Sequence, residues 1–443
     1  MKTTIYILLF TLLLSSCKKD DSEHTNIAPE AFNLLTVENQ AENVSLIPVF
    51  TWQAATDPDG DSVVYDLYLE VLTGGFLVPK LNANQQPPDP TLIIAQGITE
   101  TSYTLTDPLS INSSFTWKVV ARDNQGGTVE SDIFSFETRP LNTSEEAFVA
   151  STPFDVREGH GSVFFKDKFW VIGGFANIED VKNDVWSSAD GITWVQETAE
   201  AGFTGRGQFG ITVFKDKIFI YGGLGGGNLL SDVWSSIDGV NWIQETADTG
   251  FSPRGQTKLL SYNDKLYAIG GLDNPLDPTT GSTEEIWSSN NGADWVQETN
   301  AAPYLARYGF EALVFDNKMF VIGGALSTTF EIQNDVWYSK DGKNWTQIVH
   351  PGSSYPKRLL FKSTVFNEKI WITSGFFEDE IEEFHYNDFW SSSDGVYWKK
   401  EVSNAGYEPR FSSTLISNQN FMLLIGGGEI STNAKFNDVW KYD

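Results

Sequence analysis

The sequence predicts an all-β protein in two parts: a β-sandwich over residues 28–140, then six copies of a four-stranded unit over 141–443. Three observations predict it. The stretch WSSADGITW (186–194) recurs as WSSIDGVNW (234–242), WSSNNGADW (287–295), WYSKDGKNW (337–345) and WSSSDGVYW (390–398). A pair of small residues precedes each copy and also marks a sixth unit: Gly173-Gly174, Gly222-Gly223, Gly270-Gly271, Gly323-Gly324, Ser374-Gly375 and Gly426-Gly427. An arginine stands sixteen residues before each pair: Arg157, Arg206, Arg254, Arg307, Arg358 and Arg410. A repeat of about fifty residues marks stacked supersecondary units, none of which buries its apolar face alone.

Composition sets the outer limits. The 443 residues suffice for two or three domains. With 59 acidic against 30 basic residues, the formal charge is −29. That field repels phosphate backbones, and no Lys/Arg-rich stripe overrides it, so no nucleic-acid partner is expected. The one cysteine, Cys17, allows neither an intramolecular disulfide nor a multi-cysteine metal site. His24, His160, His350 and His385 lie far apart, with no pair at metal-site spacing, so no metal and no cofactor is expected. His160 falls in a strand-like repeat and reads as structural.

The segment MKTTIYILLFTLLLSSCKKDD reads as an address. Its apolar run, Ile5 to Leu14, is too short to span a bilayer and suits a signal peptide over residues 1–16. Leu14-Ser15-Ser16-Cys17 resembles a bacterial lipobox. The resemblance implies cleavage before Cys17, lipidation there, and membrane partnership through that anchor. Lys18-Lys19-Asp20-Asp21 is similar to the surface-export signal of some Gram-negative lipoproteins, which implies an outer-membrane, cell-surface location. Residues 17–27 then form a polar tether.

Residues 28–140 alternate strand-like runs with turns. Val63 to Glu70 alternates with period two through Tyr65, Leu67 and Leu69, and similar runs include Phe50 to Gln53, Ser102 to Leu105, Phe115 to Arg122 and Ile133 to Phe136. About seven short strands in this length argue for a sandwich. With Trp52 early and FTWKVVARD late, the segment resembles a fibronectin type III or related immunoglobulin-like module, which implies a spacer or adhesion role. DPDGD (57–61) reads as an Asp/Gly turn, although closely spaced carboxylates also suit a hard cation.

Within a repeat, GHGSVFF-KD-KFWVIGG reads as one hairpin and NDVWSS-ADG-ITWVQET as a second. Asp-Gly or Asn-Gly supplies the positive φ of a tight turn. A three-residue loop closed by a glycine bulge is expected to set the two tryptophans of each copy opposite each other on one face. The double glycines and paired tryptophans resemble the kelch β-propeller family over residues 145–443. The resemblance implies a six-bladed propeller. The last unit stops after its third strand at Tyr442-Asp443, and Ala147 to Ala150 is expected to supply the fourth and close the ring. Galactose-oxidase-like proteins share this fold, but their copper site requires a cysteine that the propeller lacks.

Spacing locates the adaptable surface. First tryptophan to second is always eight residues, whereas the small-residue pair to the next tryptophan runs 13, 12, 17, 14, 16 and 14. Second tryptophan to the next arginine is twelve residues, thirteen once, so only the loop between second and third strands varies appreciably, and it is expected to emerge on the face where the arginines begin. A rigid ring with variable loops on one face is a binding architecture. Arg157, Arg206, Arg254, Arg307, Arg358 and Arg410 are candidate donors to a polar or anionic ligand; packing between blades is the alternative reading for them. Phe376 and Phe377, with Phe175, Phe330, Phe384 and Tyr386, are candidate stacking residues. The expected function is carbohydrate or protein binding on this face. The alternative is a sialidase- or epimerase-like enzyme using the same arginines and nearby carboxylates, with no catalytic pair singled out.

Overall fold

A computed structural model describes residues 25–72, 89–177, 179–274, 281–349, 354–379, 381–429 and 432–443. The signal segment, Cys17, His24 and His350 lie outside the described residues. Among the described residues, no helix is long and apolar enough to cross a membrane.

The first part consists of two sheets. One holds Leu34–Thr36, Val49–Trp52 and Ser102–Thr104; the other is built on Val64–Val71, Ser114–Arg122 and Phe134–Thr138. Val64–Val71 and Ser114–Arg122 pair antiparallel over eight consecutive rungs. Period-two alternation puts Tyr65, Leu67 and Leu69 inside, where they pack with Phe50, Trp52, Trp117 and Phe136. DPDGD forms a turn held by Asp57, whose Oδ1 accepts from the backbone N–H groups of Asp59 and Asp61. Among the described residues no group of three or more His, Cys, Asp or Glu is arranged to hold a metal.

The second part is a six-bladed β-propeller. Blade 1 runs Gly161–Phe165, Lys168–Phe175, Val181–Ser188 and Val195–Thr198, each strand antiparallel to the next. The innermost strands of blades 2 to 6 are Gly210–Phe214, Lys258–Tyr262, Glu311–Phe315, Lys362–Phe366 and Thr414–Ser417. They neighbour one another in cyclic order, the sixth beside the first. Val149 closes the ring by exchanging both backbone hydrogen bonds with Val439 on the third strand of blade 6, at 3.0 and 2.8 Å.

Two local devices recur. In blades 1 to 5, first and second strands are joined by two residues that both have positive φ, such as Lys166 (49°) and Asp167 (58°), as a tight hairpin turn requires. The outer hairpin departs from the expected three-residue loop. Ser289 pairs with Trp295 and Trp287 with Gln297, so five residues form the loop and the tryptophans lie diagonally on one face. The longer loop is stable because side chains satisfy its backbone. In blade 2, Asp238 Oδ1 accepts from Val240 and Asn241 N–H, and Ser236 Oγ accepts from Gly239 N–H. Burial raises the Asp238 carboxyl, but Asn241 and these N–H groups outweigh it and hold it at about 2.

The two parts touch on the propeller face opposite the variable loops. The blade 5 turn places the Asn367 side chain against the backbone of Leu109 and Ile111, and Lys369 Nζ donates to the Ile111 carbonyl. Ile111 and Leu141 join the apolar cluster of Trp371, Phe389 and Tyr442. Arg139 Nη1 donates to the Asp443 carbonyl at 2.7 Å. The sandwich is thus seated on the propeller, and the variable-loop face points away from that seat.

Candidate functional site

The six arginines do not face a ligand space, which corrects their expected role. Arg157, Arg206, Arg254, Arg307, Arg358 and Arg410 are 0–2 % exposed. Five are forked onto an aspartate of the same blade: Arg157 onto Asp184, Arg206 onto Asp232, Arg307 onto Asp335, Arg358 onto Asp388 and Arg410 onto Asp438. Arg254 reaches Glu285 at 2.9 Å. Arg157 Nη1 also donates to the Gly173 carbonyl at 2.9 Å, and each other arginine repeats this contact sixteen residues downstream. The same carboxylate accepts from the first tryptophan of the copy, as in Trp186 Nε1 to Asp184 Oδ2 at 2.8 Å. Each guanidinium is therefore spent on its own blade, where burial demands a partner.

The small-residue pair belongs to the same frame. Gly173 and Gly174 have φ of 57° and 100°, and Gly174 N–H donates to the Arg206 carbonyl of the next blade at 2.8 Å. A Cβ on Gly173 would lie 2.8 Å from that carbonyl oxygen. Only glycine combines the left-handed backbone with so close an approach at no cost; in blade 5, Ser374 takes a φ of 60° at the first of these positions.

The face of the variable loops is organised around the axis. The residues two beyond each arginine are Gly159, Gln208, Gln256, Gly309, Leu360 and Ser412, all with positive φ. They hydrogen-bond around the ring: Gln208 N–H to Gly159 O, Gln256 N–H to Gln208 O, Leu360 N–H to Gly309 O, Ser412 N–H to Leu360 O and Gly159 N–H to Ser412 O, at 2.6–3.1 Å. Gly309 N–H completes the circuit through the Gln256 side chain at 2.9 Å.

At this ring lies a cavity of about 60 Å³, lined among others by His160, Lys258, Glu311 and Lys362. Glu311 Oε1 accepts from Lys258 Nζ at 2.7 Å and Lys362 Nζ at 3.3 Å, and Oε2 accepts from Ser363 Oγ at 3.1 Å. Burial raises the Glu311 carboxyl, but the two ammonium groups outweigh it and hold it low. Burial, with Lys362 nearby, pushes Lys258 down to about 8 against the pull of Glu311. His160 is buried; Nε2 meets Thr414 Oγ1 at 2.9 Å, while Nδ1 has no partner. Burial, then Arg157 and Lys362, hold its pKa well below the usual range. The lysines and Glu311 share the position four beyond the arginine, where blades 1, 2 and 6 carry Gly161, Gly210 and Thr414. Aligning the repeats on the arginine exposes that charge; reading the arginines as the cation source hides it.

Phe376 and Phe377 do stand on the variable-loop face. They form Phe376–Glu378, paired with Glu383–His385 as a small hairpin above blade 5. Phe376 meets Phe411 at 6.0 Å and His385 at 6.2 Å; Phe377 meets Phe384 at 6.4 Å. With Tyr308 and Leu360 they pack partly buried on Ala325, Ile332 and Leu359, across the seam of blades 4 and 5. Phe384 stays 48 % exposed, and the hairpin carries Glu378, Asp379, Glu382 and Glu383. Tyr386 is committed elsewhere, with the Arg358 guanidinium 4.1 Å from its ring centre.

No protein-family model matches the chain. Over 147 residues, 30 % of its length, it is 32 % identical to the dynein alpha chain, flagellar outer arm, of Chlamydomonas reinhardtii, and the match spans 3 % of that protein. Among solved structures, that of YjhT superposes with a TM-score of 0.53 at 14 % identity, covering 66 % of this chain and 96 % of that one. This likeness shows the fold. It is a β-propeller.

Proposed function

We propose that the propeller is a binding module of kelch type that takes a carbohydrate or protein ligand on its variable-loop face, at the seam of blades 4 and 5. One observation carries the reading: blades 2 and 5 each raise a small hairpin from this loop, and where that of blade 2, Leu224–Gly225 with Asn228–Leu229, carries no aromatic residue, that of blade 5 leaves Phe384 and partly buried Phe376 and Phe377 beside carboxylates. Aromatic faces bounded by polar groups suit sugar rings and protein side chains alike. The enzyme alternative loses its arginines to buried ion pairs. Probing the full chain on a broad glycan panel tests the reading. Saturable binding to one class is expected, with a loss of tenfold or more in Phe384→Ala at unchanged thermal midpoint and in Phe376→Ala with the chain still folded. If no glycan binds, the carbohydrate reading fails and the ligand is a protein; if binding survives both substitutions, the seam is the wrong surface.

The reading extends to location. Cys17 is proposed as the lipidated residue of a surface lipoprotein, with a fibronectin type III-like sandwich beneath the propeller. The seat of the sandwich opposite the variable loops supports this orientation, since it leaves that face open. Radiolabelled palmitate should enter the chain in the native host and be lost in Cys17→Ser; equal labelling of both would refute the anchor.

A further inference from the structure

The axial cavity carries a charge that the architecture does not require. Blades 1, 2 and 6 close the ring with Gly161, Gly210 and Thr414 at the position where blades 3, 4 and 5 place Lys258, Glu311 and Lys362. Two ammonium groups share one carboxylate oxygen, at 2.7 and 3.3 Å, so the cluster is one positive charge in excess, inside a chain whose net charge is −29. An ammonium has three donors, and among the described residues each of these has a single acceptor, Glu311 Oε1. His160 adds a second, independent sign. It is 5 % exposed, lines the same cavity, and its Nδ1 is buried without a partner. Buried polar atoms are ordinarily satisfied, so an unpartnered one on a residue that lines the cavity is an exception that sets this ring position apart. Charges partly withdrawn from water attract an opposite charge more strongly than fully solvated ones do.

We propose that this cavity is an anion site, in which Lys258 and Lys362, spaced by Glu311 and backed by His160, receive a small anion or the carboxylate of a larger ligand entering from the loop face. The volume of about 60 Å³ is several times the roughly 10–15 Å³ that one water needs on the same measure, so a small anion can be received there with room for water. Both lysine side chains are 22 % exposed, which leaves a route for exchange. Glu311 holds the ammonium groups together at a cost in anion affinity. The site stands whether or not the blade 4–5 seam binds a ligand.

The full chain, in HEPES–Tris buffer free of halide and carboxylate, is titrated with chloride, bromide and formate while its thermal midpoint is followed. Saturable stabilisation is expected, as for any ligand that binds only the folded state. Lys362→Met should abolish it, and Glu311→Gln, which removes the competing negative charge, should tighten it at least tenfold. A merely structural cluster would show neither response. Absence of saturation in the unaltered chain, or an equal response in Lys362→Met, overturns the site. Should these variants fail to fold, crystals of the unaltered chain in bromide decide: an anomalous peak in contact with both Nζ atoms supports the site, and none overturns it. Competition separates the two sources. Displacement of bromide by glucuronate points to a ligand carboxylate, and displacement by formate alone points to a free ion.

Discussion

Asp388→Ala is expected to destabilise the propeller by about 3–5 kcal/mol, read as a fall in the denaturant midpoint at unchanged m-value. Asp388 is buried and takes both Nη atoms of Arg358, at 3.0 and 3.3 Å, and the indole N–H of Trp390 at 2.7 Å. Arg358 itself is 0 % exposed. Removing the carboxylate leaves a full positive charge and a tryptophan donor without this acceptor, in a site with little water to replace it. The outcome also tests the role assigned to the arginines. If Asp388→Ala left stability unchanged while altering ligand binding, the ion pair would be a functional group and not a blade clamp.

Phe251→Ala is expected to cost a similar amount, about 3–5 kcal/mol, the usual range for emptying a buried aromatic site. The ring stacks on Trp287 at 4.7 Å and 16°, meets Trp295 edge-on at 5.7 Å and Tyr221 at 5.3 Å, and lies 4.9 Å from the Arg254 guanidinium. One side chain thus joins both tryptophans of a copy to the clamp arginine. Phe251→Leu, which fills part of the space, should recover some of the loss. Equal midpoints for Phe251→Ala and the unaltered chain would mean that the tryptophans do not depend on this ring.

This aromatic residue was legible in the sequence and is easily passed over. Phe154, Phe203, Phe251, Tyr304, Tyr355 and Tyr407 each stand three residues before an arginine, and five of them contact a tryptophan pair or its second member. The carboxylate two residues before the first tryptophan is equally regular: Asp184, Asp232, Glu285, Asp335, Asp388 and Asp438. Six arginines matched by six acids at constant positions are paired charges, and that regularity argues for the clamp. Attention to charge without its repeat partner leads to a ligand-donor role that burial rules out.

The glycine of the outer hairpin shows the other limit. Sequence identifies a turn, and φ of 76° at Gly239 agrees. Only the assembled ring shows that a Cβ there would lie 2.2 Å from the Trp170 ring of the preceding blade. Gly292 meets Phe219 in the same way, at 2.6 Å. Local periodicity carries no information on this contact, since the two residues belong to different repeats.

By itself, then, the sequence determined what repeats: the all-β class, the number of blades, the hairpins, and the loop that varies. Those follow from local rules of period-two burial, turn chemistry and constant spacing. The tertiary structure decided where charge is available. It turned six arginines inward onto their own acids and brought Lys258, Glu311 and Lys362, separated by about fifty residues each, into one axial cavity. The reason is geometric: along a strand, neighbours differ in which face they present, but only closure of the ring determines which residues of different blades share the axis.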